Sequence, residues 1–137
     1  MLRKLLVVLA ALATTLGLMV PTAGSASALG GEWLGCWATP GDESGYSSEC
    51  WGGATGGYVR VDFVVQDETA PSTYSWSVPA AYQSKITSGC SSTQHLCSLT
   101  VPAASHQISV SVTLTQGGTT ATHTAVAYID RSCGWWC

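Results

Sequence analysis

From Ile108 to Thr115 the chain alternates without a break. Ile108, Val110, Val112 and Leu114 are apolar, and Ser109, Ser111, Thr113 and Thr115 between them carry hydroxyls. A repeat of two matches the pleat of a strand with one buried face and one wet face. It does not match a helix, whose faces recur every ~3.6 residues. Gln116-Gly117-Gly118 then offers glycines for a tight turn, and Thr119 to Ile129 returns with Ala125, Ala127 and Ile129 on one side. This spacing predicts a hairpin. A hairpin cannot bury its apolar face alone, so a second layer must cover it.

The same signature recurs upstream. Val59, Val61, Phe63 and Val65 alternate with Arg60, Asp62 and Val64; Tyr74, Trp76 and Val78 alternate with Ser75 and Ser77; Cys97, Leu99 and Val101 alternate with Ser98 and Thr100. Asp67-Glu68, Ala70-Pro71, Pro79 and Pro102 punctuate these runs, and Tyr82 to Thr87 is a weaker strand candidate. β-Branched residues dominate, and no segment keeps a helical period. Short strands without intervening helices predict an all-β fold, an antiparallel β-sandwich over residues 58–130. Residues 29–57, rich in Gly, Ser, Trp and Cys, show no sustained period and are expected to form an irregular, disulfide-braced N-terminal region. Residues 131–137 form a Cys-Trp-rich tail.

Residues 1–28 read as a removable leader. Arg3 and Lys4 precede an apolar run from Leu5 to Val20, Pro21 breaks it, and Ala26-Ser27-Ala28 has the small-x-small form of an export cleavage site. The run falls short of the ~20 apolar residues that span a bilayer. Leu34-Gly35-Cys36 is too far from the apolar run, with Trp33 at a small-residue position, to be a lipidation signal. The expected product, residues 29–137, is one domain, secreted and released, with no membrane contact after cleavage. The absence of asparagine, only two lysines, and abundant Ala, Gly and Thr suit a GC-rich bacterial genome.

Six cysteines in such a product predict disulfides, which persist in an oxidising exterior. No Cys-x-x-Cys pair occurs, and His95, His106 and His123 lack ligand spacing, so no metal is expected. Cys90 and Cys97 make the best pair; closing so short a loop stabilises by about 2.5 kcal/mol in the chain-entropy model. For Cys36, Cys50, Cys133 and Cys137 the alternatives are local pairs, Cys36–Cys50 with Cys133–Cys137, or bonds joining the two ends of the chain.

Tyr74-Ser75-Trp76, a Gly-Cys turn, Leu99-Thr100-Val101, and Ile108-Ser109-Val110-Ser111-Val112-Thr113-Leu114 with Gly117-Gly118 and a final strand together resemble the later strands of bacterial immunoglobulin-like domains, especially the PKD type. The resemblance covers roughly residues 58–130. It implies an immunoglobulin-like β-sandwich in which Trp76 is the core tryptophan of the third strand, there for packing. It also implies that the first connection lies near the end of the last strand. With the larger entropy gain of long loops, this tips the expectation toward cross-pairing of the ends.

Chemistry is harder to find. The leader's Arg3 and Lys4 aside, Arg60, Lys85 and Arg131 face eight carboxylates, which excludes nucleic-acid binding by phosphate neutralisation. Asp42 and Glu49 could meet across a cleft only by chance. No Gly-x-Ser-x-Gly elbow exists, paired cysteines leave no thiol for Cys-His catalysis, and His123 falls on the last strand, outward or in the core. Asp67-Glu68 offers too few oxygens for calcium. The expectation is no enzyme and no cofactor.

The tryptophans say more. Trp33, Trp37, Trp51, Trp135 and Trp136 sit beside cysteines at both ends of the product. Bridged ends would gather these five rings, either as a small second core or as an exposed aromatic platform for an extracellular glycan or protein. Consecutive Trp135 and Trp136 on an extended chain point opposite ways, so at least one would be wet or at an interface. Three roles follow: a glycan- or cell-wall-binding module; a ligand or inhibitor of an extracellular protein such as a hydrolase, with the Cys90–Cys97 loop as contact; or a structural protein assembling through sheet edges.

Overall fold

A computed structural model describes residues 29–41, 44–54 and 56–131. The elements are β1 (Trp33–Thr39), β2 (Glu49–Gly53), β3 (Tyr58–Gln66), β4 (Thr73–Ser77), α1 (Ala80–Gln83), β5 (Ile86–Gly89), β6 (Leu96–Pro102), β7 (His106–Gln116) and β8 (Thr119–Asp130). They form two four-stranded sheets, ordered β1-β3-β6-β5 (the first sheet) and β2-β8-β7-β4 (the second). The fold is therefore all-β but for one helical turn. Pro79 stands at its N-cap position, with extended backbone and no side-chain capping bond.

The alternation in the sequence becomes the two-sided burial of each strand. Val59, Val61, Phe63 and Val65 of β3 face Ile108, Val110, Val112 and Leu114 of β7 across one core, with Leu99 and Val101 of β6 and Ala125, Ala127 and Ile129 of β8. The β7–β8 hairpin runs in unbroken antiparallel register from His106↔Ile129 to Gln116↔Thr119, around the Gly117-Gly118 turn. On its outer side the hydroxyls bond to each other, Ser111 to Thr124 at 2.7 Å and Thr113 to Thr122 at 2.8 Å.

Two expectations need correction. Residues 29–57 are not irregular, since they carry β1 and β2. In β1, Leu34, Cys36 and Ala38 point inward while Trp33, Gly35 and Trp37 line the other side. Large rings on the wet side and a glycine between them concealed a strand that does alternate. The sheets are also not purely antiparallel, because β2 runs parallel to β8. The chain turns after Thr39, comes back along the free edge of β1 where Cys36 and Ser47 exchange backbone hydrogen bonds, and crosses to the second sheet in the direction of β8. Gly52 permits this crossing. A Cβ there would stand 2.5 Å from the Ala38 Cβ and 3.0 Å from the Val59 Cγ1, too close for any side chain.

The bridges differ from expectation as well. Cys90 is joined to Cys97, as the spacing suggested. Cys36 is joined to Cys50, a local pair and not a link to the C-terminus. The physical reason is that β1 and β2 are facing edges of the two layers, with both sulfurs fully buried between them. Cys133 and Cys137 lie outside the described residues. Across the first sheet the register places Cys36 beside Phe63, and Phe63 beside Cys97. The only phenylalanine of the chain is thus flanked by one half of each bridge.

Two outcomes test this arrangement. After chymotryptic cleavage at Trp37 and Tyr46 the peptides that carry Cys36 and Cys50 should stay joined until reductant is added, and a peptide joining Cys36 or Cys50 to the C-terminal tail would contradict the pairing. Phe63→Ala should lower stability by about 3–5 kcal/mol in a denaturant titration, since the cavity lies between sheets that the bridges keep from collapsing.

Candidate ligand-binding surface

The outer side of the first sheet carries the aromatic surface. Trp33 and Trp37 project from β1 on either side of Gly35, and Tyr46 from the returning segment lies over that glycine. A Cβ at Gly35 would stand 2.9 Å from both the Trp33 ring and the Tyr46 Cβ, so only glycine lets these rings close in. Trp37 and Tyr46 meet edge to face, with centroids 6.1 Å apart and planes at 65°. Their relative exposures, 36% and 38%, leave much of each ring open to solvent. The Trp33 ring is half-buried, and its indole N–H donates to Asp67 at 2.8 Å.

Beneath this pair lies a polar cluster. Asp62 sits opposite Trp37 on β3 and opposite Ser98 on β6. It is 9% exposed although it projects from the outer side of the sheet. Its Oδ1 accepts the Ser98 hydroxyl at 2.5 Å and the Arg60 Nε at 3.0 Å. The Arg60 side chain itself is mostly in water, so this ion pair adds little stability and leaves the guanidinium free to make further contacts. Partial burial pushes the Tyr46 phenol above the ordinary tyrosine range, nearby Asp62 pushes it further, and Arg60 opposes both.

The predicted tryptophan cluster is divided. Trp51, 48% exposed, projects from β2 on the opposite sheet and stacks on Tyr128 at 5.4 Å and 15°. Trp33 and Trp37 share one face, Trp51 belongs to the other, and Trp135 and Trp136 lie outside the described residues. The split follows from the crossing between β1 and β2, which sends consecutive Cys-Trp pairs to different layers. Trp76 is half-buried and packs on the core, its indole donating to the Gln94 carbonyl at 3.0 Å. Sequence reasoning missed Tyr46, Tyr128, Arg60 and Asp62. The alternation of β3 did place Arg60 and Asp62 outward, but nothing in the sequence marked Tyr46 as their neighbour.

The loop between Cys90 and Cys97 is pinned to both layers. Its Ser92 carbonyl accepts the Tyr74 N–H from the second sheet at 3.0 Å, and its His95 carbonyl accepts the Val65 N–H from the first at 2.9 Å. The side chains from Ser91 to His95 remain exposed. The other acids considered are dispersed. Asp67 holds the Trp33 indole, Glu68 accepts the Tyr74 hydroxyl at 2.6 Å, Glu49 is exposed on β2, and Asp42 lies outside the described residues. Burial, and then the Glu68 carboxylate, hold the Tyr74 phenol far above its usual range. Among the described residues no three His, Cys, Asp or Glu side chains gather as metal ligands, and no helix is long and apolar enough to cross a membrane.

The electrostatic link between ring and carboxylate can be read directly. In ring-labelled protein followed by NMR, the Tyr46 phenol should titrate above ~10. Asp62→Asn should bring it down toward that value, and Arg60→Ala should raise it further. An Asp62→Asn variant with no downward change would separate the two groups. No known protein family, curated protein or solved structure matches this chain.

Proposed function

We propose that this chain is a small secreted binding module without catalytic activity, an immunoglobulin-like sandwich whose Trp37–Tyr46 surface holds an extracellular glycan. The observation that carries the reading is the pair of half-exposed rings fixed edge to face above a carboxylate, a guanidinium and a hydroxyl. Ring faces suit the C–H side of a sugar, and the polar groups suit its hydroxyls. Ligand surfaces commonly combine aromatic walls with a few placed polar groups in this way. Gly35 and the β1–β3 register hold the set rigid, so little ordering cost remains on binding.

The immunoglobulin-like assignment is supported by strand order. With β1, β3, β6 and β5 taken as A, B, E and D, and β4, β7 and β8 as C, F and G, the layers match the ABED and CFG sheets of that fold. In this scheme β2 continues the first strand on the second layer. Trp76 then falls on strand C, where such sandwiches carry their core tryptophan. Secretion is supported by the leader-like residues 1–28 and by two disulfides of a kind that persists outside the cell. A second reading, a ligand or inhibitor of an extracellular hydrolase, is favoured by the Cys90–Cys97 loop, which is rigid in its backbone and exposed in its side chains.

Retention on insoluble glycans tests the first reading. The wild-type protein should be retained, Trp37→Ala and Tyr46→Ala should each weaken retention on the order of tenfold, about 1.4 kcal/mol, and Trp51→Ala should not. Failure to bind any glycan would remove the reading and leave loss of hydrolase activity on adding the protein as the decisive assay.

A further inference from the structure

Glu32, immediately before β1, is a buried carboxylate with an uncommon set of partners. It is 6% exposed. Its Oε2 accepts the N–H of Gly30 at 2.8 Å and of Gly31 at 3.2 Å, so it is turned back toward the start of the chain. Leu29 packs on the core cluster just ahead of those glycines, which anchors the segment. Hydrogen bonds from its own and the Gly30 backbone N–H hold the carboxyl below the ordinary glutamate range, against the opposing effect of burial. No guanidinium or ammonium accompanies it among the described residues: Arg60 is bound to Asp62, six residues down β3 from the end that pairs with Trp33, a distance of ~20 Å. The titratable side chain closest to it in effect is His123 of β8, whose Nε2 is buried without a hydrogen-bond partner among the described residues. Just past the end of β3, Asp67 follows the residue paired with Trp33 and is taken up by the indole of that tryptophan.

We propose that Glu32 receives the ammonium group created when the leader is removed, so that export processing itself completes the N-terminal lock of the fold. This rests on the reading of residues 1–28 as a leader ending at Ala28. Hydrolysis of the Ala28–Leu29 peptide bond by an export peptidase consumes one water and leaves a carboxylate on Ala28 and an α-ammonium on Leu29. That nitrogen is one residue, ~3.8 Å by Cα spacing, from the Gly30 N–H that already donates to Glu32. Before cleavage the position holds a neutral amide; afterwards it holds a cation with three donors, one residue from the N–H groups that Glu32 already accepts. A buried charge is costly without a partner, and an ion pair that also completes hydrogen bonds relieves that cost.

The sign of the pH dependence follows. The carboxylate raises the pKa of the folded amine above its unfolded value of ~7.7–8.0, so the stabilisation is fully present below that value and is lost as pH rises through the raised one. The full precursor would be produced in a secreting host and the exported product sequenced from its N-terminus. A start other than Leu29 overturns the leader reading and, with it, the lock; a start at Leu29 leaves the lock to be decided by the melting experiments. Thermal unfolding is then compared with a variant carrying Gly-Gly inserted after Ala28, whose new amine is displaced from Glu32. At pH 7 the native product should melt higher, by on the order of 5 °C, and the gap should close toward pH 10. The gap should vanish in a Glu32→Gln background and survive in His123→Gln. Equal melting at pH 7, a gap indifferent to pH, a gap that persists in Glu32→Gln, or one lost in His123→Gln would each overturn the proposal. The Leu29 amine of the native product should itself titrate above the ordinary range; an ordinary value overturns the lock even where the Glu32 variant fails to accumulate.

Discussion

The structure depends on closing two sheets whose inward side chains are mostly small. Valine and alanine dominate the core, and one phenylalanine fills its middle. Small residues give each layer little apolar area per strand, and so a weak grip on the other layer. The Cys36–Cys50 bridge compensates at one edge by joining the layers directly, through sulfurs buried in the interior. At the far side the Cys90–Cys97 loop does so through its backbone, with carbonyls bonded to both sheets. Phe63 lies between the two fastenings. Everything outward of this clamped core is therefore carried on a stiff frame, the Trp37–Tyr46 surface included.

Strands with one wet side of small polar residues were legible from the sequence. The β7–β8 hairpin was readable to within a residue or two because hydroxyls outside and branched apolar groups inside leave no other period. β3, β4 and β6 followed the same rule. β1 and β2 were not legible, since their outward positions carry tryptophan and glycine, which disguise an alternation that burial restores. The parallel pairing of β2 was equally hidden. Direction is set by where the chain crosses between layers, and that crossing depends on the close approach of Gly52 to Ala38.

The candidate surface was half visible. Tryptophans beside cysteines drew attention to β1, but grouping all five supposed that the chain ends were joined. Once Cys36 pairs with Cys50, neighbours in sequence are sent to opposite faces, and Trp37 finds its partner in Tyr46, from a segment without period. Asp62 is the instructive case. Alternation places it outward, where a carboxylate is ordinarily wet, yet it is buried, held by the Ser98 hydroxyl and the Arg60 guanidinium and close enough to Tyr46 to act on its phenol. No single strand encodes that.

The parallel pairing of β2 with β8 bears on how the molecule carries mechanical load. The N-terminal end enters at the head of β1, and the Cys36–Cys50 bond passes any pull there directly into β2, bypassing the loop between them. β8 leaves in the direction in which β2 runs. Tension applied to the two ends therefore drags these neighbouring strands past each other lengthwise, so the rungs between them resist together and do not open one after another. A chain stretched between two anchored structures would meet that resistance before any of the core came apart.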